Sequence, residues 1–315
     1  MAPASLPHEI YRFHLEVLGD TRMPEYKGSA FRGVFGHAFK RVVCALRTQE
    51  CVSCLVREAC TYQRVFETGV AAQDGPRTGV KVAPHPYVLV PPLEERTRYA
   101  AGDRLSLDLL LMGPARGILP YLVYTFQEVG RLGLTAERKP LVLRSVEGFG
   151  EQGWEVVFND AEGQLRRSAV PAPAPHPTPL DGIVSMDLVT PMRLQEKGRL
   201  LSELTFGSLF LAVWRRHQLL SRYYGGEGEV SGHELFEAAK RIETLGERVQ
   251  WKDWTRWSNR QQTKMQLGGL FGRAQFRGDL SPFATWLAWA ERFHVGKATS
   301  FGLGKVQLVS QGEAA

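Results

Sequence analysis

The chain has 315 residues, 43% apolar and 23% charged, which is the composition of a globular protein and excludes a fibrous or disordered one. No apolar run approaches the roughly 20 residues that span a bilayer. The opening MAPASLPHEIYRFHLEV also lacks the charged-then-apolar layout of a secretory leader. A cytoplasmic protein with no membrane partner is therefore expected. The net charge of +6 favours an acidic partner, and the excess is concentrated: between Arg248 and Val309 ten basic residues stand against three acidic ones.

In chain order, Glu9–Gly19 alternates apolar and polar residues and predicts a strand. Tyr26–Leu46 then switches to helical period, with Phe31, Val34, Phe35, Ala38, Phe39 and Val42 on one stripe and His37, Lys40 and Cys44 away from it. RLSLDLLLMGP from Arg104 predicts a strand, and GILPYLVYTFQEVGRLGL from Gly117 a helix ending on glycines. Short strands follow in KPLVLRSVEGF, GWEVVFND and QLRRSAV. The proline-rich stretch 171–182 reads as an extended linker between domains 1–170 and 183–315. Beyond it come a strand from Ile183, a long helix from Thr205, and a helix in GHELFEAAKRIETLG capped by Ser231 and stopped at Gly246. Two strands within Val249–Gly278, a helix from Ser281 with Pro282 in its first turn, and a strand from Gly302 complete the chain. Both halves approximate β-α-β-β-α-β, so the expected class is α+β with two tandem ferredoxin-like domains.

All four cysteines lie between Cys44 and Cys60, spaced C-x6-C-x2-C-x5-C. Clustered thiols in a cytosolic chain argue for metal rather than disulfides, and C-x2-C places two thiolates on one turn. The insertion 44–62 is thus expected to hold structural zinc, or alternatively a 4Fe-4S cluster, on Cys44, Cys51, Cys54 and Cys60. Four thiolates leave zinc no open position for water, which makes the expected role structural.

His294–Val309, HVGKATSFGLGKVQLV, places Gly296, Gly302 and Gly304 with Lys297 and Lys305 between the last helix and the last strand. A phosphate-binding P-loop needs the opposite order, strand before and helix after, and no third glycine completes a dinucleotide fingerprint. What remains is a backbone-amide surface with hydroxyls at Thr299 and Ser300, suited to a polyanion and close in sequence to Arg256, Arg260, Lys264 and Arg273. A purely structural account would need only a helix C-cap at Gly296 and a bulge at Gly302.

The stretch RWSNRQQTKMQLGGLFGRAQFRGDLSPFATWLAWAERFHVGKATSFGLGKVQL resembles the C-terminal half of the CRISPR-associated endoribonucleases that process precursor crRNA, members of the RAMP superfamily. MPEYKGSAFRGVFGHAFKRVVC, Met23–Cys44, resembles the first helix of the same enzymes and the turn before it. The resemblance implies two ferredoxin-like domains that bind CRISPR repeat RNA and cut it within the repeat without a catalytic metal. Attack by the 2′-OH would leave 2′,3′-cyclic phosphate and 5′-OH ends, and the crRNA is often retained. It also implies that the loop 294–305 contacts RNA, its glycines letting main-chain N–H groups reach phosphates and its His294, Lys297 and Lys305 adding side-chain contacts.

Such cleavage needs proton transfer, which suits histidine, and charge stabilisation, which suits lysine and arginine. The resemblance places a catalytic histidine in the N-terminal helical region, often with a tyrosine and a lysine, which here are His37, Tyr26 and Lys40; His294 is the rival. The alternative function is a non-catalytic RNA-holding subunit of a CRISPR effector complex, with other effector subunits as partners. An iron–sulfur redox protein would fit the cysteines but leave the C-terminal loop unexplained.

Overall fold

The structure, a computed structural model, describes residues 2–3, 5–47, 50–68, 83–167, 169–180, 182–225, 232–258 and 263–309. The chain forms two compact units, one of Leu6–Pro173 with Tyr223–Gly225, the other built mainly from Ala174–Arg222 and the described residues beyond 231. The division falls within the proline-rich stretch. The start of that stretch is pinned to the first unit, because Ala172 N–H donates to the His8 carbonyl at 3.0 Å and Val170 N–H donates to the Tyr11 hydroxyl at 3.0 Å.

In the first unit β1 (His8–Val17) alternates and buries Tyr11, Phe13, Leu15 and Val17. It is followed by α1 (Gly28–Val43), β2 (Tyr87–Val90), β3 (Arg104–Met112), α2 (Leu119–Leu132), β4 (Leu141–Gly150) and β5 (Gly153–Asn159). The antiparallel sheet runs β2-β3-β1-β4-β5, ending on a short edge at Gln164–Leu165 that is all that forms of the strand expected in QLRRSAV. The first four of these strands and two helices form a split βαβ arrangement. Both helices deliver aromatic rings to a common core: Phe126 of α2 lies 4.2 Å from Phe13 and 5.5 Å from Phe35, centroid to centroid. The four-residue β2 was not anticipated. It sits between prolines, which an edge strand tolerates, and pairs Tyr87 with Leu111.

The second unit repeats the wiring with β6 (Ile183–Met192), α3 (Phe206–Tyr224), α4 (His233–Lys240), β7 (Glu243–Lys252), β8 (Thr255–Ser258), β9 (Thr263–Gln266), β10 (Gly269–Arg277), α5 (Ala284–Phe293) and β11 (Val306–Val309). Its sheet runs β7-β10-β6-β11, and the β8–β9 ribbon is an insertion between β7 and β10 in the chain. The helix expected to reach Gly246 ends at Lys240. From Glu243 the chain joins the sheet instead, Glu243, Thr244 and Leu245 pairing with Arg277, Phe276 and Gln275, so a waiting ladder overrides helical propensity. Ser231, the expected cap, lies outside the described residues. The core here is a chain of edge-to-face rings, Phe276–Phe206 at 5.1 Å and Phe210–Trp286 at 5.6 Å.

Each sheet carries a two-pronged Arg–Asp pair across its first and third strands, with the charges exchanged. Arg12 of β1 holds Asp108 of β3 at 2.7 and 2.9 Å, and Arg273 of β10 holds Asp187 of β6 at 2.6 and 2.9 Å. Among the described residues no helix is long and apolar enough to cross a membrane.

Candidate functional site

α1 buries Phe31, Phe35, Ala38 and Phe39, which leaves His37 and Arg41 exposed on its far side with Lys40 half-buried beside them. His37, Lys40, Arg41, Val42, Cys44 and Arg47, with Glu128 from α2, line an open groove of about 470 Å³. The carboxylate in that lining, Glu128, accepts from Arg41 Nε at 3.1 Å and from Arg131 Nη1 at 3.5 Å, so an incoming anion meets cations and a neutralised acid. Lys40 and Arg41 also occupy the last turn of α1, where positive charge complements the helix dipole. Lys40 Nζ lies 5.6 Å from the centre of the Tyr62 ring.

Tyr26 is not part of this groove. It precedes α1, eleven residues before His37 in the chain, and burial pushes its phenol well above the usual range. Lys27 beside it is fully buried, its Nζ donating to the carbonyls of Glu94 at 2.7 Å and Glu25 at 3.3 Å. Of the expected His37, Tyr26 and Lys40, the groove brings together His37 and Lys40, beside Arg41, Arg47 and Glu128. Arg41 had a signal in the sequence, one helical turn after His37. Glu128 had none, since it arrives from a second helix.

The glycine-rich loop packs inward on its own unit. Val295 N–H donates to the Gly304 carbonyl at 2.8 Å, Gly304 N–H to the Pro191 carbonyl at 3.1 Å and Lys297 N–H to the Arg193 carbonyl at 3.1 Å. Buried Thr190 uses its hydroxyl twice, donating to the Gly302 carbonyl at 2.8 Å and accepting from Lys305 N–H at 2.9 Å. Gly296 and Gly304 have φ of 83° and 73°. A Cβ at Gly304 would overlap the Val295 carbonyl oxygen, and one at Gly296 would lie 2.5 Å from the Arg193 carbonyl oxygen. These glycines therefore let main chain approach main chain, and the N–H groups of Lys297, Gly302 and Gly304 donate to the carbonyls of Arg193, Thr299 and Pro191. Thr299 and Ser300 are buried as well, whereas Lys297 is exposed and Lys305 half-buried.

His294 closes α5 at φ 60° and ψ 167°, a conformation that glycine normally takes and that costs another residue about 1–3 kcal/mol. It is 1% exposed, and its Nδ1 lies 3.1 Å from the Leu303 carbonyl. A carbonyl only accepts, so Nδ1 carries the proton. Burial, reinforced by the charges of Lys305 and Arg216, pushes its pKa down to about 3. The ring is accordingly neutral and sealed from solvent.

Arg273 is committed to Asp187. Arg256 and Lys264 stand opposite Met265 and Trp257 on the β8–β9 ribbon, and Arg260 lies outside the described residues. The cysteine-rich segment folds as successive turns: Cys51–Ser53 is one, and Arg57 N–H to the Cys54 carbonyl at 3.1 Å closes the next. Phe66 then fastens it to the core, 5.6 Å from Phe39 and 5.3 Å from Tyr87. Cys44, Cys51, Cys54 and Cys60 are free and partly buried. Among the described residues no three histidine, cysteine or carboxylate side chains come together as a metal-holding group. Backbone bonds and aromatic packing gather the segment.

Residues 6–170, over half of the chain, match the AF_1859_N family, an N-terminal domain, and residues 186–306 match the CRISPR-associated endoribonuclease Cas6 family. The chain belongs to the AF_1859_N family. The match to the Cas6 endoribonucleases covers its second unit. An uncharacterised protein of Archaeoglobus fulgidus is 24% identical over 293 residues, 91% of this chain and 93% of its relative. Among solved structures, Thermus thermophilus Cas6 aligns with a TM-score of 0.53 at 15% identity, over 97% of this chain and 100% of that one. A Cas6 product complex aligns at 0.55 and 15%, with the same shares. A partial Cas6-RT-Cas1–Cas2 complex aligns at 0.58 and 14%, over 100% of this chain and 48% of that one. At these identities the likeness is one of fold.

Proposed function

We propose that this protein is a metal-independent endoribonuclease of the RAMP type that cuts CRISPR precursor RNA within the repeat and keeps the crRNA on two ferredoxin-like units. The observation that carries the reading is His37, exposed in a groove with Lys40, Arg41 and Arg47, on a chain whose second unit matches the Cas6 endoribonucleases. In this reaction the ribose 2′-oxygen attacks the adjacent phosphorus and the bond from phosphorus to the 5′-oxygen breaks, giving a 2′,3′-cyclic phosphate and a 5′-hydroxyl. One proton leaves the 2′-OH and one arrives at the departing oxygen. Neutral His37 can take the first, and protonated His37 can give the second. Lys40, Arg41 and Arg47 offset the charge that builds on the phosphorane, with Glu128 fixing the Arg41 guanidinium in place. Acid, base and electrostatic stabiliser are all side chains, so the chemistry does not call for a divalent ion. Exposed Lys297 would add a phosphate contact of its own.

The test is cleavage of labelled repeat RNA in excess chelator, with analysis of the product ends. A single cut leaving a cyclic phosphate is expected, and His37→Ala should lower the single-turnover rate by about 100-fold or more while repeat RNA still binds. A parent protein that binds repeat RNA and never cuts it is an RNA-holding subunit. One that cuts only when a divalent ion is supplied refutes the mechanism.

A further inference from the structure

The outward stripe of α2 is Tyr121, Tyr124, Glu128 and Arg131, spaced i, i+3, i+7 and i+10 on one helix face. Soluble helices usually dress such a stripe with charge, yet Tyr121 is 50% exposed and Tyr124 65%. Glu128, a groove wall, is one turn beyond Tyr124, a Cβ separation of about 6 Å. The stripe therefore runs from two bare aromatic rings directly to the mouth of a groove holding His37, Lys40, Arg41 and Arg47. The rings supply flat apolar area without charge, and the groove supplies cations whose one carboxylate is already paired with Arg41 and Arg131. An occupant that uses both must be planar and apolar at one end and anionic at the other. An unpaired nucleotide has that form, and base–aromatic stacking beside a cationic track is how single strands are gripped without reading their sequence. An acidic peptide would use the cations and leave the rings in water.

We propose that Tyr124, flanked by Tyr121, is a stacking shelf for an unpaired nucleobase next to the scissile phosphate, so that the groove accepts single-stranded RNA and rejects a duplex at that point. This rests on the groove being the cleavage site. The test measures the affinity of the full chain, the Tyr124→Ala variant and the Tyr124→Phe variant for repeat RNA, using oligonucleotides with 2-aminopurine on either side of the cut. Circular dichroism serves as the control for folding. The expected result is binding about 10-fold or more weaker for Tyr124→Ala, near-parental binding for Tyr124→Phe, and stacking-induced quenching that is lost in the first and kept in the second. Annealing a complementary strand across the cut should block binding at the groove. If the parent cuts RNA and Tyr124→Ala binds it as tightly, or Tyr124→Phe is as weak as Tyr124→Ala, the shelf is overturned and the nuclease reading stands. If the parent ignores RNA altogether, both fall together.

Discussion

Replacing Gly304 by alanine asks whether the glycine-rich loop serves the fold or a ligand. At φ 73° the new Cβ would overlap the Val295 carbonyl oxygen, a backbone atom that cannot swing aside, so the loop has to open. Alanine in a left-handed conformation costs about 1–2 kcal/mol. Opening also strains two hydrogen bonds, Val295 N–H to Gly304 and Gly304 N–H to Pro191, each contributing about 1 kcal/mol. The total is about 3–4 kcal/mol before any repacking of fully buried Leu303. At about 2–4 °C per kcal/mol for a domain of this size, the second unit should melt roughly 6–16 °C lower. Thermal unfolding followed by circular dichroism, without RNA, reads this directly. Should Gly304→Ala melt with the parent and lose only its affinity for repeat RNA, the glycine would be there to admit phosphate and the packing argument would be wrong.

Acid should destabilise the second unit through His294. The folded ring takes a proton only near pH 3, whereas the unfolded side chain takes one near its ordinary 6.5, so protons favour the unfolded chain between those values. Stability from this group is complete above pH 6.5 and falls by up to about 1.4 kcal/mol per pH unit below it. Urea titrations across that range should show a steeper loss for the parent than for His294→Asn, and equal slopes would refute the assignment. The four cysteines, free and partly buried, should all react with a thiol reagent in the native protein, and prolonged chelation should leave its circular dichroism unchanged. Unfolding on chelation would show that the thiolates hold an ion after all.

Periodicity was readable wherever an element has one buried face. Phe31, Phe35, Ala38 and Phe39 announce α1, and the same stripe places His37 on the solvent side. What stayed hidden depends on partners that sequence spacing does not reveal. The segment after Lys240 is helix-prone, and only the ladder offered by β10 turns it into β7. Glycine density signals a close approach, but nothing in the residues says that the approaching groups are the carbonyls of Val295 and Arg193. Arg273 looks like a spare cation until the strand register sets Asp187 beside it. Glu128 enters the groove through helix packing, which no local motif encodes.

That Arg–Asp pair changes how the protein should respond to salt. A polyanion displaces bound counterions according to the number of cations free to neutralise it, and a guanidinium already clasped by a carboxylate on its own sheet contributes little to that tally. Arg273 is so clasped, and Arg277 shares Glu243 at 3.4 Å. The fall of RNA affinity with rising ionic strength should therefore be shallower than ten basic residues between Arg248 and Val309 would suggest. Grip on the backbone would then lean on fewer charges and more on shape, which leaves room for discrimination among RNAs at cellular salt.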